Sequence, residues 1–250
     1  MFERYMVDVN IGRLLARLPD VVVVGSGVAA LTAALTAAED GCQVVVITKD
    51  SAQETNTFYA QGGVACVYDE TDNSSNHIQD TLAAGAGLCK LEAVEKLVHD
   101  SQPRVKQLIE RGVHFDLKAD GTYKLGREGG HSHFRILHAN GDATGRAIQV
   151  GLQAAAAAHP NIQILENHFA IDLITHGSQC FGVVAYHAQA EQLVTILARA
   201  TILASGGCGQ IFRETTNPAV ATGDGMAMAF RAGAIVQDME FIQFHPTTLY

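Results

Sequence analysis

The strongest constraint on the fold is a strand, a tight turn and a helix start within residues 21–38. Four consecutive valines precede Gly25-Ser26-Gly27-Val28-Ala29-Ala30, and a run of small residues follows. Gly25 permits a sharp turn, and Gly27 permits a ligand to approach the backbone closely. The first N–H groups of the helix, together with the positive end of its dipole, favour a diphosphate. The pattern therefore predicts a dinucleotide site, with an ordinary βα turn as the alternative.

The second strand of this unit, residues 43–48, ends in a different way from most such units. An NAD-binding unit usually places an acidic residue there, where it binds the ribose hydroxyls, but this chain has Thr48 and Lys49. The Lys49 ammonium is a point charge that suits a nucleotide with additional phosphate contacts, such as FAD. Otherwise the glycine turn is purely structural.

Length, charge and cysteine content exclude several classes of protein. The chain has 250 residues, enough for one large α/β domain or a domain and a half, and its net charge of −9 argues against a nucleic-acid surface. No apolar stretch approaches the roughly 20 residues that cross a bilayer, and the first twenty residues lack a secretory signal. The five scattered cysteines are typical of free thiols in a reducing compartment. We therefore expect a cytoplasmic protein without nucleic-acid or membrane partners.

The remaining pattern predicts a Rossmann-like α/β domain over residues 21–250, with a parallel sheet and a small antiparallel layer, after a lead-in of residues 1–20. Helices are expected at residues 74–85, 91–111 with an interruption at Pro103, 142–159 and 222–233, with one or two helical turns at 11–18. Strands are expected at residues 162–166, 169–175 and 200–207, and a hairpin at 181–187 and 193–198.

Two polar segments carry residues that are suited to binding. Residues 56–65 contain Gly62 and Gly63 among small hydrogen-bonding residues, so their backbone could wrap a flat aromatic ring. Residues 127–142 hold Glu128 among arginines and histidines, a combination that could bind an anionic substrate and its amino group. The alternatives are a glycine-rich surface loop and a polar loop with exposed histidines. We predict no metal site, because His131 and His133 lack a third ligand.

Two further residues have an open role. Asp224, between two glycines, suits either a helix N-cap or an acceptor for a ribityl or ribose hydroxyl. His245 precedes a proline, which predicts an extended, rigid segment. An imidazole in such a segment is suited to bind a carboxylate.

Together these segments resemble the flavoprotein family of succinate dehydrogenase, fumarate reductase and L-aspartate oxidase. In the succinate dehydrogenase branch, a histidine before the Ala-Gln-Gly-Gly stretch links covalently to the flavin, and a phenylalanine precedes the paired glycines. Asn56 and Glu128 stand at these two positions, so the resemblance implies the aspartate-oxidising branch with non-covalent FAD. The matching segments are residues 25–30, 58–63, 127–132, 142–146, 203–207, 216–218, 223–225 and 243–247.

The resemblance implies oxidation of L-aspartate to iminoaspartate by hydride transfer from Cα to flavin N5, the first step towards quinolinate and NAD. Oxygen or fumarate would accept the electrons, and quinolinate synthase would act downstream. The alternatives are a soluble fumarate reductase or succinate dehydrogenase type of flavoprotein, and an inactive, truncated FAD-binding domain, since the family's capping domain would follow the last motif. Glu128 is implied to orient the amino acid, and His245 to bind a carboxylate. The implied FAD ligands are Gly25, Ser26, Gly27, Val28, Ala29, Lys49, Asn56, Thr57, Phe58, Tyr59, Ala60, Gln61, Gly62, Gly63, Phe169, Ala170 and Asp224.

Overall fold

A computed structural model describes residues 4–7 and 15–244. The chain divides into two units, one formed by the residues up to Asn56 and from Ala156 on, the other by Thr57–Ala155. The strands are β1 Leu15–Arg17, β2 Val21–Val24, β3 Val44–Ile47, β4 Val64–Ala65, β5 Leu125–Gly126, β6 Ile136–Leu137, β7 Ile162–Leu165, β8 His168–His176, β9 Gln179–His187, β10 Gln192–Leu197 and β11 Ala200–Leu203. The helices are α1 Val28–Glu39, α2 Asn56–Tyr59, α3 Ser74–Ala84, α4 Leu91–Glu110, α5 Thr144–Ala158 and α6 Asp224–Arg231, with a short 3-10 helix at Gly209–Ile211.

The first unit is built on a four-stranded parallel sheet with the order β11-β2-β3-β7. The residues of β2 and β3 are buried on both faces, as expected for the centre of a parallel sheet. Helix α1 connects these two strands and packs small side chains, among them Ala30, Ala34 and Ala38, against one face of the sheet. This arrangement confirms the predicted Rossmann-like unit.

A second sheet, of order β1-β10-β9-β8, covers the other face of the parallel sheet. Its β8–β9 and β9–β10 pairs are antiparallel, which confirms the predicted hairpin and small antiparallel layer, whereas β1 joins β10 in parallel. Valines of β2 and β9 share one apolar core with Met228 of α6. This core between two sheets fixes the carboxyl ends of the central strands.

The second unit combines helices with a three-stranded sheet of order β4-β6-β5, in which both pairs are antiparallel. Helices α3 and α4 pack together, and α4 buries Val94, Val98 and Val105 on one face. An isolated antiparallel bridge joins Leu117 to Tyr123. Within the described residues, no helix has both the length and the apolar character for a membrane span.

Three local expectations are wrong. The helical turns expected near the start are instead a strand at Leu15–Arg17, because the edge of β10 offers backbone partners, while residues 11–14 lie outside the described residues. Helix α4 runs through Pro103 without a break, because its buried valines continue the same face on both sides. For helix α3 the sequence predicts a cap near Ser74 or Ser75, but the cap is Asn73, whose side chain accepts from the Asn76 N–H. The assignment of residues 1–20 to a lead-in and 21–250 to one domain stays a prediction.

Candidate functional site

The glycine turn lies at the carboxyl end of β2, the edge where open parallel sheets bind ligands. Gly25 has a φ of +114°, and a Cβ at this position would be 2.2 Å from the carbonyl oxygen of Ala204. Gly27 is the N-cap of α1, and because it has no side chain, the N–H groups of the first turn receive no side-chain cap. Val28 and Ala29 in the first turn are exposed. The turn therefore presents a helix N-terminus to the surface, as the binding of a diphosphate requires.

A lysine, a threonine and an aspartate meet beside the end of β3. The ammonium of Lys49 forms an ion pair with the carboxylate of Asp224, the first residue of α6, and donates to Thr222 Oγ1 at 2.5 Å. Its Nζ lies 5.7 Å from the ring centre of Phe169 on β8. Ala170, the next residue of this strand, is buried in the apolar core. The structure thus brings together three of the residues implied to hold FAD, namely Lys49, Phe169 and Asp224. Thr222 was not singled out by the sequence, although it lies only two residues before Asp224.

Ser26 and Asn56 occupy supporting positions in the same unit. Ser26 is buried, and its hydroxyl donates to Thr48 Oγ1 at 3.1 Å, which joins the glycine turn to the end of β3. A Cβ on Gly206, which has a φ of +77°, would stand 3.6 Å from Nδ2 of Asn56. The Asn56 amide therefore lies against the double glycine that follows β11.

Of the residues implied to surround the flavin, Asn56 to Gly63, those from Thr57 onwards belong to the second unit and include most of the short helix α2. The rings of Phe58 and Tyr59 contact edge to face, with centres 5.3 Å apart. Gly145 of α5 donates its N–H to the Ala60 carbonyl at 2.9 Å. A Cβ on Gly145 would be 2.0 Å from the Thr57 carbonyl oxygen, so only glycine permits this close packing.

Glu128 lies in the loop that follows β5, and its side chain is 55% exposed. Its Oε1 is 3.1 Å from Nε2 of His138, the residue directly after β6. The cluster predicted from the sequence therefore does bring a carboxylate and an imidazole together. Arg127 instead lies over the Phe134 ring, 5.8 Å from its centre.

Behind this loop lies a buried ionic network centred on Arg135. Its guanidinium has no exposed surface, and it donates from Nε and Nη2 to the two carboxylate oxygens of Asp72, at 2.8 and 2.9 Å. Its Nη1 lies 2.6 Å from Asp80 and 3.2 Å from Nδ1 of His131. Asp80 also accepts from the backbone N–H and the hydroxyl of Ser132, both at 2.8 Å. The network fastens the loop between β5 and β6 to helix α3.

The network changes the acidity of its members. Burial alone would raise the pKa of Asp80, but hydrogen bonds from Ser132 and the charge of Arg135 outweigh it and lower the pKa to about 2. The pKa of Asp72 is also lowered, because its bonds to Arg135 and to the Asn73 N–H exceed the effect of burial. Burial and the nearby Arg135 charge lower the pKa of His77. Asp80 and His77 both lie within a polar helix, so no sequence pattern marks either residue.

The described residues contain no group of three histidine, cysteine, aspartate or glutamate side chains that could hold a metal ion. His133 contacts Ser132 and lies 3.7 Å from Asp72, while His131 contacts Arg135, so each of these two histidines has another partner. His245, implied to bind a carboxylate, lies outside the described residues.

The fold and the glycine turn define a nucleotide-cofactor-binding α/β protein. Its chain belongs to the FAD binding domain family, whose model matches residues 20–250. FAD is therefore the cofactor of this domain, and the described residues fit it: Gly25 leaves no room for a side chain, the N-terminus of α1 is presented to the surface, and the Lys49–Asp224 ion pair lies beside the end of β3.

Relatives and solved structures agree with this assignment. The chain is 49% identical over 234 residues to L-aspartate oxidase 2-a, chloroplastic, from Nicotiana tabacum, and this match covers 92% of this chain and 36% of that protein. It is 48% identical over 242 residues to L-aspartate oxidase from Vibrio cholerae, and this match covers 92% of this chain and 45% of that protein. An E. coli quinol fumarate reductase superposes with a TM-score of 0.90 at 33% identity, over 94% of this chain and 40% of that one. The chain thus spans less than half the length of these relatives.

Proposed function

We propose that this protein is part of an L-aspartate oxidase, which converts L-aspartate to iminoaspartate with non-covalently bound FAD. The observation that carries the proposal is Glu128, an acidic residue in the loop after β5 whose carboxylate is half exposed and held by His138. A carboxylate at this position complements the α-ammonium of an amino acid and would repel a dicarboxylate that lacks one. The names of the relatives at 48% to 49% identity support the same substrate.

The residues of the first unit bind and orient the cofactor in this proposal. The glycine turn and the start of α1 hold the diphosphate, and Lys49, ion-paired with Asp224, lies next to Phe169 as a further cofactor contact. Asp224, positioned by its bonds to Lys49 and Thr222, accepts a hydrogen bond from a ribose or ribityl hydroxyl. Asn56 lacks a nucleophilic ring nitrogen, which agrees with a non-covalent flavin.

The remaining implied ligands surround the flavin and bind the substrate in this proposal. The backbone from Thr57 to Gly63 provides N–H groups for the flavin ring, while Glu128 orients the substrate amino group. FAD held by these residues would supply the acceptor for the hydride of the aspartate Cα, and the amino nitrogen would lose a proton to give iminoaspartate. The protein contributes position and charge, with His245 proposed to hold a carboxylate. Oxygen or fumarate is the proposed final acceptor, quinolinate synthase the proposed next enzyme, and a cytoplasmic location stays a prediction.

The test is anaerobic reduction of the purified chain, loaded with FAD, by L-aspartate and by succinate. We expect flavin absorbance to bleach with aspartate alone, and Glu128→Gln to slow this bleaching by at least about tenfold, as loss of a charged hydrogen bond predicts. The matched control is Glu92→Gln, an exposed glutamate on α4. Bleaching by succinate instead would favour the second candidate, a fumarate reductase type of flavoprotein, which the structural similarity supports. A chain that binds FAD but reacts with neither would contradict both.

A further inference from the structure

The imidazole of His138 lies between two glycines, one in the small sheet of the second unit and one directly before it. It directly follows β6, the central strand, which pairs with β4 on one side and β5 on the other. A Cβ on Gly63, which precedes β4, would be 3.1 Å from His138 Nε2, and a Cβ on Gly126 of β5 would be 2.7 Å from Cε1. The His138 carbonyl also accepts from the Asp116 N–H at 2.8 Å. Backbone and ring are therefore both held, and the two glycines leave space for an imidazole.

Glu128 relies on this imidazole for its orientation. Its carboxylate is half exposed, and within residues 15–244 His138 is the one residue with a hydrogen bond or ion pair to it. A glutamate side chain has several rotatable bonds, so without a partner it would occupy many rotamers at the surface. A fixed donor at 3.1 Å selects one of them. Binding of a substrate ammonium then needs less ordering of the side chain.

We propose that His138 is a positioning residue, whose Nε2–H holds the Glu128 carboxylate towards the amino group of the substrate. The inference rests on the proposed function, because it assumes that Glu128 recognises an α-amino dicarboxylate. It assigns to His138 part of the selectivity between dicarboxylates with and without an amino group. A residue that served only to pack the sheet would affect both ligands equally.

The test compares two ligands that differ at a single group. L-2-Methylaspartate has an amino group but no hydrogen on Cα, so it binds without reaction at this carbon, and 2,2-dimethylsuccinate carries a methyl in place of the amino group. Dissociation constants are measured by titration calorimetry on the FAD-loaded chain. We expect His138→Ala to weaken binding of 2-methylaspartate by about tenfold, as loss of a hydrogen bond to a charged group predicts, and to change binding of dimethylsuccinate by less than about twofold.

Two substitutions at the same position keep the test decisive if the alanine variant fails to fold. His138→Gln places an amide N–H near the position of Nε2 and should restore binding to within about threefold of the original, whereas the shorter His138→Asn should not. In a double variant with E128Q, the two losses should be less than additive, because one acts through the other. His99→Ala, at an exposed histidine on α4, is the matched control.

The outcomes separate this inference from the proposed function. If E128Q weakens 2-methylaspartate but H138A and H138N do not, the positioning role is overturned and the proposed function stands. Equal losses for both ligands would also overturn it, since they would indicate packing alone. If the original chain does not prefer 2-methylaspartate and E128Q changes nothing, the proposed function fails and the inference fails with it.

Discussion

Replacing Arg135 by methionine tests whether the buried ionic network holds the second unit together. Arg135 and Asp72 have no exposed side-chain surface, and Asp80 is only 16% exposed. Methionine fills much of the same space, so the main loss is electrostatic rather than a cavity. Removing one partner of a buried ion pair typically costs 3–5 kcal/mol, because an unpaired charge remains. Two carboxylates would remain here, so we expect a loss of about 4 kcal/mol in the free energy of unfolding.

The assay is urea unfolding at pH 7, followed by far-UV circular dichroism. Arg104→Met is the matched control, because Arg104 is an exposed arginine of the same unit whose guanidinium contacts Gln107; we expect a change below about 0.5 kcal/mol. Adding Asp72→Asn and Asp80→Asn to the Arg135→Met variant should recover part of the loss, because it removes the unpaired charges. A loss for R135M below about 1 kcal/mol, or no recovery in the triple variant, would refute the reasoning.

Three further predictions concern acidity and backbone geometry. The pKa of Asp80, about 2, lies below its unfolded value of 3.8, so its stabilising contribution should be complete above pH 3.8 and disappear as the pH falls towards 2; Asp80→Asn should flatten this part of the stability profile. The lowered pKa of His77 means that its neutral form is favoured in the fold, so stability should fall as the pH drops below about 6.5, and His77→Gln should reduce that slope. Gly25→Ala should cost at least about 2 kcal/mol and weaken FAD binding, because its Cβ would collide with a backbone oxygen. Gly41→Ala, also at positive φ but with open space around it, should cost about 1 kcal/mol and leave FAD binding unchanged.

Chemical denaturation at a series of pH values checks the first two, and fluorescence titration with FAD checks the glycine pair. Slopes that D80N and H77Q leave unchanged would show that other groups carry the pH dependence. Equal costs for G25A and G41A would mean that the strained φ alone matters and that the neighbouring strand yields to the added methyl group.

The sequence alone determined those parts of the protein whose signal is local. The valine run and the glycine turn predicted β2, α1 and the nucleotide edge of the sheet, because a strand, a turn and a helix start all fall within twenty residues. The alternation within residues 181–198 predicted the hairpin of β9 and β10 for the same reason. Lys49 was identified as a cation at the end of β3 from its position in that unit.

Which distant residues meet depends on tertiary packing and could not be predicted from the sequence. Lys49 and Asp224 are 175 positions apart, and the ion pair between them depends on how α6 packs beside the sheet. Asp72, from the segment before α3, contacts Arg135 across 63 positions, and no periodicity marks either partner. His138 follows the strand β6, which pairs with β5 in one register, and Gly126 of β5 leaves room for the imidazole that reaches Glu128. Local patterns specify which elements form, whereas long-range packing determines which side chains share a site, because contacts between elements leave no periodic trace in the chain.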